Sequence, residues 1–166
     1  MVALFIDFVL ASLHHLAVFA FVALLIVELV LVRPGLDIAT IQRIARIDLV
    51  YGIAAGLVLV FGFVRVIYGA KGAAYYFGNP IFWSKIGIFA LIGLISISPT
   101  LRFLAWRRLA KADPQALPEA RDLRQVKRLI HIQAGLVVFL PILAADRKST
   151  RLNSSHPVLS RMPSSA

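Results

Sequence analysis

The first 32 residues constrain this chain most, because they contain no lysine or arginine and are almost entirely apolar. At about 1.5 Å per residue, a helix of this length exceeds the roughly 30 Å hydrocarbon core of a bilayer. The stretch also carries ionisable side chains: Asp7, His14, His15 and Glu28. Such groups are costly in lipid, so they usually face the interior of a helix bundle, bind a partner or mark a functional site.

Three further apolar stretches approach membrane-spanning length, and the four together predict helices at about residues 3–32, 48–67, 81–103 and 129–145. Hydrophobic residues make up 60% of the chain and charged residues 16%, which disfavours a soluble domain. The first stretch follows no basic segment and lacks a clear small-residue cleavage site, so we do not interpret it as a signal peptide. We therefore predict an all-α, integral membrane four-helix bundle.

Residues 146–166 differ abruptly in composition from the apolar stretch before them. Codon by codon, DRKSTRLNSSH back-translates into a short-read sequencing-library adapter, and SRMPSSA fits a later part of the same adapter. We expect this tail to be an artefact of adapter read-through that contributes nothing to the fold. The native frame is then known only to Ala145, and we expect the last helix to be truncated.

Basic residues lie mostly in the first and third loops, and this asymmetry predicts an orientation. The first loop region carries three: Arg33, Arg43 and Arg46. The third carries eight: Arg102, Arg107, Arg108, Lys111, Arg121, Arg124, Lys127 and Arg128. The second loop carries only Lys71, so the positive-inside rule places the two basic loops in the cytoplasm and the N-terminus outside. Without residues 146–166, which hold four basic and one acidic residue, the net charge falls from +10 to +7. We expect the basic third loop to contact anionic lipids at the cytoplasmic face, and we do not expect nucleic-acid binding.

Gly52 and Gly56 in the second helix would permit close approach of another helix. Packing within the bundle is the simpler interpretation, and a homo-oligomer is the alternative. The chain contains no cysteine, which excludes thiolate metal sites and disulfides. It also contains no phosphate-binding loop, zinc-protease motif, nucleophile elbow or di-iron motif.

Asp7, His14 and Glu28 are separated by whole heptads, so they fall on one stripe of the first helix. The predicted topology brings Arg65 of the second helix to the depth of Asp7. It brings a further group to the depth of Glu28: Asp48, Arg43, Arg46 and His131. We interpret both sets as structural ion pairs rather than a proton path, because mutual neutralisation makes membrane insertion tolerable.

His14, His15 and Lys85 have no charge partner that is evident from the sequence. Neutral imidazole binds haem iron, and four-helix bundles hold cofactors between facing helices. Haem b is therefore a candidate cofactor, with His14 or His15 as axial ligand and Lys85 or His131 as a second contact. The alternatives are that the histidines are hydrogen-bonding groups and that Lys85 extends to the membrane interface.

Most of the chain resembles a bacterial family of predicted inner-membrane proteins, domain of unknown function 2214. The resemblance covers residues 1–145 and is carried by RIDLVYGIAAGLVLVFGFVRV (46–66), by the order Lys-Gly, Asn-Pro, Lys and Ser-x-x-Pro-Thr in residues 69–108, and by RLIHIQAGLVVFLPILAA (128–145). The resemblance implies a multi-pass protein of the bacterial inner membrane, and it implies no particular activity. More distantly, His15 with Trp83 and Lys85 is similar to HemJ-type protoporphyrinogen oxidases and CopD-like copper-resistance membrane proteins, which is a likeness of architecture only.

Three functional hypotheses follow from the sequence. The first is a cofactor-free membrane adaptor or assembly factor, whose polar residues only hold the bundle together. The second is a haem b-binding membrane protein, such as an oxidoreductase or an electron-transfer subunit. The third is a proton-coupled, transporter-like protein. The sequence does not decide whether the protein is an enzyme.

Overall fold

Regular secondary structure is entirely helical in the part of the chain that the structure describes. A computed structural model describes residues 2–69, 72–113, 115 and 117–153. Its helices are α1 (Val2–Leu31), α2 (Ile38–Tyr68), α3 (Ala73–Phe77), α4 (Pro80–Ala112) and α5 (Ala120–Asn153). The predicted all-α class is confirmed, whereas the short helix α3 was not expected from the sequence.

The long helices extend beyond the apolar stretches from which they were predicted. α2 begins at Ile38 rather than near Asp48, because the Asp37 carboxylate caps its N-terminus and accepts a hydrogen bond from Thr40 N–H at 2.9 Å. α4 continues to Ala112, and α5 begins at Ala120. No proline or glycine interrupts these charged extensions, so the backbone hydrogen bonds continue through them. Apolar length therefore identified only part of each helix.

α5 also continues past Ala145, so the predicted end of the fourth helix at that residue is wrong. Its backbone is helical through Asn153. The segment DRKSTRLN contains arginine, lysine and leucine, which favour helix, and neither proline nor glycine, which would end one. The rest of the adapter-like tail, residues 154–166, lies outside the described residues, as does Lys71 of the second loop.

The four long helices pack side by side in the cyclic order α1, α2, α4, α5, and α5 returns to contact α1. Side chains of diagonally opposed helices meet inside this ring, where Phe21 of α1 lies 5.5 Å from Phe89 of α4 between ring centroids. Fully buried residues concentrate towards the end that holds the α1–α2 connection, and they include Leu25, Ile44 and Val126. This end of the bundle can therefore shield polar groups from both lipid and water.

Among the described residues, three helices are long and apolar enough to cross a membrane: Leu4–Leu31, Ile38–Tyr68 and Pro80–Ala112. Their outward faces expose large apolar side chains such as Phe5, Phe19 and Leu94. A contiguous apolar surface of this kind is stable against lipid and prone to aggregation in water. The chain is a membrane protein on this evidence. Membrane crossing by α5 and an outside N-terminus stay predictions.

Candidate functional site

A constant register between α1 and α2 positions the ionisable residues of the first helix. Asp7 contacts Arg65, His14 contacts the carbonyl of Val58, and Phe21 stacks on Tyr51 with ring centroids 4.8 Å apart. Each step of seven residues along α1 matches a step of seven in the opposite direction along α2. The predicted stripe of Asp7, His14 and Glu28 therefore faces a single neighbouring helix, because antiparallel helices keep heptad positions in register.

Asp7 and Arg65 form an ion pair at the end of the bundle remote from the α1–α2 connection. Arg65 Nε lies 3.4 Å from Asp7 Oδ1, and both side chains are about one-third exposed. Gly69 closes over this pair, since a Cβ at that position would lie 2.9 Å from Asp7 Oδ1 and 2.3 Å from the Arg65 carbonyl oxygen. Only glycine permits this approach, so the end of α2 is built around the ion pair.

The two histidines of α1 occupy different surroundings. His14 Nδ1 lies 3.2 Å from the Val58 carbonyl oxygen, and the His14 ring packs against Gly62, with Cε1 3.4 Å from a Cβ placed there. His15 is exposed on the neighbouring face, with Nδ1 2.6 Å from the Ala11 carbonyl oxygen. The two rings are edge-to-face, 6.0 Å apart between centroids. His14 is therefore part of the α1–α2 contact, whereas His15 faces outward.

His131 lies at a different depth from the other three candidate haem contacts. Lys85 acts electrostatically on His14 and so belongs to the Asp7 end of the bundle. His131 is exposed on α5, where its Nδ1 lies 2.8 Å from the Lys127 carbonyl oxygen. It lies two residues before Gln133, which bonds to Tyr51, and Tyr51 stacks on Phe21, which lies seven residues after His14. His131 is therefore about 13–14 Å from His14 along the helix axes. His131 is thus separated in depth from the other candidates, and the assignment of His14 or His15 with Lys85 or His131 to a haem stays a prediction.

A second group of polar side chains, which we term the core polar cluster, lies in the enclosed half of the bundle. It is drawn from all four long helices: Glu28, Asp48, Tyr51, Thr100 and Gln133. Thr100 Oγ1 donates to Asp48 Oδ1 at 2.8 Å, and the Tyr51 hydroxyl donates to Gln133 Oε1 at 3.0 Å. Tyr51 and Gln133 belong to diagonally opposed helices, so their hydrogen bond crosses the core of the bundle.

Glu28 is the exceptional member of the core polar cluster. It is 2% exposed, and its Oε1 has no hydrogen-bond partner among the described residues. Asp48 acts on Glu28 as a like charge, and both carboxylates act on Tyr51. A buried acceptor without a donor costs about 1–3 kcal/mol, and more when it is ionised. The fold therefore retains a group that does not stabilise it.

The predicted neutralisation of Glu28 and Asp48 by arginines is wrong. Within the described ranges, ion pairs form between Asp7 and Arg65 and between Arg102 and Asp122, and neither includes these two acids. At 100° per residue, Arg43 and Arg46 lie about 140–160° around α2 from Asp48, and His131 lies about 160° around α5 from Gln133. Similar depth in the membrane did not bring these side chains together, because they project from opposite faces of their helices.

Arg102 makes a contact between α4 and α5 that the sequence did not predict. Its guanidinium pairs with Asp122, and its Nη2 donates to Gln125 Oε1 at 2.9 Å. The sequence also did not single out Tyr51, Thr100 and Gln133. A usable signal was present for two of these, since Tyr51 and Gln133 are isolated polar residues in otherwise apolar stretches. Such isolation is typical of a side chain with a partner inside the bundle.

The core polar cluster has the groups needed to hold and release a proton, namely two carboxylates, a phenol, a hydroxyl and an amide. Across the described part of the chain, no group of three or more histidine or acidic residues could hold a metal ion. The chemistry that the side chains of the core polar cluster permit is proton exchange and hydrogen bonding.

A family model described as predicted membrane protein (DUF2214) matches residues 6–146. The matched region contains every member of the core polar cluster as well as Asp7 and Arg65. No curated protein and no solved structure matches the chain, so nothing found here supports the likeness to haem-associated or copper-resistance proteins. The match covers most of the chain and agrees with its long apolar helices. The chain therefore belongs to the DUF2214 family of predicted membrane proteins.

Proposed function

We propose that this protein is a proton-coupled, transporter-like membrane protein in which Glu28 and Asp48 form the proton-binding site. The observation that carries the proposal is the unpartnered Oε1 of Glu28, which lies 2% exposed beside a second buried carboxylate. An uncompensated acid inside a membrane bundle is expensive, and such a group is by default a candidate functional residue.

The surroundings of Glu28 favour a proton as the group that neutralises it. From α2 it faces Asp48 and Tyr51, whereas α4 contributes Thr100 and α5 contributes Gln133 to the same cluster. None of these side chains is a cation. Two carboxylates this close in a buried site cannot both remain charged at low cost, so binding one proton between them relieves both burial and repulsion.

The hydrogen bonds assign different roles to the two acids. Thr100 donates to Asp48, which stabilises charge on that carboxylate, whereas Glu28 Oε1 receives no donor. We therefore place the exchangeable proton on Glu28 and the residual charge on Asp48. The hydrogen bond from Tyr51 to Gln133 connects the cluster to α5.

The adaptor hypothesis gives the polar residues only the role of holding the bundle together, and Glu28 Oε1 makes no hydrogen bond that would do so. An adaptor has no need of an uncompensated carboxylate, which apolar residues would replace with a gain in stability. The haem hypothesis has no support from the placement of His131. Of the three hypotheses, proton coupling is the one that gives a role to the buried, unpartnered Oε1 of Glu28.

Infrared difference spectroscopy tests the proton-binding site directly. The wild-type protein should show the carbonyl band of a protonated carboxyl group that changes across about pH 5–9. Glu28→Gln should remove the band and Asp48→Asn should shift its titration. Glu119→Gln is the matched control, because Glu119 is exposed in the α4–α5 connection. Absence of a protonated carboxyl throughout this pH range would contradict the assignment.

Proteoliposomes with an internal pH indicator test proton movement itself. We expect an imposed pH gradient to dissipate faster with wild-type protein than with Glu28→Gln, and Glu119→Gln should match the wild type. If Glu28→Gln and Asp48→Asn both leave the rate unchanged while the protein remains folded, the carboxylates bind no transported proton and the proposed function is wrong.

A further inference from the structure

A groove between α2 and α4 leads from the bundle surface to the core polar cluster. It has a volume of about 510 Å³, within the roughly 300–1,000 Å³ of typical small-molecule sites. Its walls are mostly apolar, yet Asp48 and Thr100 line its interior and Arg107 lines one end. Gly52 of α2 and Gly93 of α4 provide the space, since a Cβ at either position would meet no atom within 4 Å.

The length of the groove suits a hydrocarbon chain. Its lining runs along α4 from Phe89 to Arg107 and along α2 from Ala45 to Ala55, about 27 Å and about 15 Å at 1.5 Å per residue. A groove of this length can hold much of an acyl chain.

The basic residues at one end of the groove favour a lipid with an anionic head group. Arg107 is exposed at the mouth of the groove, and the neighbouring basic residues Arg108 and Lys111 are also exposed. A guanidinium binds phosphate oxygens in bidentate fashion. A phospholipid whose phosphate contacts Arg107 would place its acyl chain along Leu104, Gly93 and Gly52. The apolar walls and the single cationic end thus match one amphiphile with an anionic head group.

We propose that the α2–α4 groove is a binding site for an anionic phospholipid, with its phosphate on Arg107 and one acyl chain beside Gly52 and Gly93. Glu28 itself lies on α1 and does not line the groove, although Asp48 and Thr100 of the core polar cluster do. It goes beyond general attraction of the basic loops to anionic membranes, because it names one groove and one contacting arginine.

Photo-crosslinking in nanodiscs tests the proposal. The full chain is placed in phosphatidylcholine discs that contain a minor fraction of phosphatidylglycerol with a diazirine in its acyl chain. We expect crosslinked peptides from residues 45–55 and 89–107. Gly52→Leu and Gly93→Leu should remove most of this labelling by filling the groove. Gly56→Leu is the matched control, because Gly56 has the same open space but does not line the groove.

The head-group contact is tested by comparing diazirine-labelled phosphatidylglycerol with the corresponding phosphatidylcholine. Arg107→Gln should lower the preference for phosphatidylglycerol by about fivefold, whereas Arg108→Gln, outside the groove lining, should have little effect. Circular dichroism establishes that each variant remains helical.

Equal labelling of wild type, Gly52→Leu and Gly93→Leu would overturn the proposal, as would an unchanged lipid preference in Arg107→Gln. If Gly52→Leu instead converts a dimer to a monomer and leaves lipid labelling intact, the groove is a contact between copies and the lipid proposal is wrong. Glu28→Gln should retain full labelling, so failure of the proton-binding site and failure of the lipid site are distinguishable.

Discussion

Arg65 Nε lies 3.4 Å from Asp7 Oδ1, at the opposite end of the α1–α2 register from Glu28. Between them, His14 contacts the Val58 carbonyl and Phe21 stacks on Tyr51, each one heptad further along α1. A rotation of α1 that broke the ion pair would therefore also turn Glu28 away from the core. The partly exposed ion pair and the buried carboxylate are therefore linked by the same contact between α1 and α2.

The Asp7–Arg65 pair should contribute modestly to stability, because both side chains retain partial exposure. Asp7→Asn and Arg65→Gln should show a coupling free energy of about 0.2–1 kcal/mol in a double-mutant cycle, measured by denaturant unfolding in mixed micelles. This value is well below the roughly 3–5 kcal/mol expected for a fully buried pair. Strictly additive single effects would show that the two side chains do not interact.

Replacing Glu28 with methionine should stabilise the protein while abolishing proton exchange. The substitution removes a buried acceptor without a partner and retains a similar side-chain volume, so we expect a gain of about 1–3 kcal/mol in the free energy of unfolding. Glu119→Met, at an exposed site, should change stability little. A clear loss of stability in Glu28→Met would mean that the carboxylate is compensated in the bundle.

Tyr51 and Gln133 should stabilise the protein only while both are present, because each satisfies the buried polar group of the other. Gln133→Leu leaves the buried Tyr51 hydroxyl without its acceptor, which should cost about 1–3 kcal/mol of unfolding free energy. Adding Tyr51→Phe to Gln133→Leu should recover part of this loss, because neither polar group then remains buried. The prediction is contradicted if the double variant is less stable than Gln133→Leu alone.

The start of α2 should weaken in acid. Hydrogen bonding to Thr40, first through its side chain and then through its backbone N–H, lowers the pKa of Asp37 below its ordinary value of 3.8. A carboxyl whose pKa is lower in the folded state stabilises that state above its unfolded pKa, and the benefit disappears as the pH falls through the folded pKa.

Hydrogen exchange checks this behaviour at one amide. The protection factor of Thr40 N–H should fall as the pH drops below 3.8, where Asp37 gains its proton. Asp37→Asn retains a competent N-cap and should remove the pH dependence, so it serves as the control. Equal pH dependence in both proteins would assign the effect to another group.

The orientation predicted from the basic loops is open to a direct test with reporter fusions. A phosphatase fused after Lys71 should be active, because that loop is predicted to face outside, and one fused after Arg121 should be inactive. The reverse pattern would invert the topology and place the Arg107 end of the groove on the outer side.

The sequence by itself determined the class of this protein and the positions of its main helices. Long apolar stretches require helices in lipid, because every backbone group must find a partner within its own segment. Heptad spacing placed Asp7, His14 and Glu28 on one stripe, and comparable depth suggested the contact between Asp7 and Arg65. These inferences succeeded because each depends on local periodicity or on position along a helix.

Only the tertiary structure decided which side chains share a site. Similar depth in the membrane suggested that arginines pair with Glu28 and Asp48. However, Arg43 and Arg46 project from the opposite side of α2 and so point away from the core. Thr100 and Gln133 instead reach it from α4 and α5. Pairing between helices depends on rotation and packing order, which the apolar pattern of a membrane helix encodes weakly because lipid and core are both apolar. The unpartnered Oε1 of Glu28 became visible only once all four helices were in place.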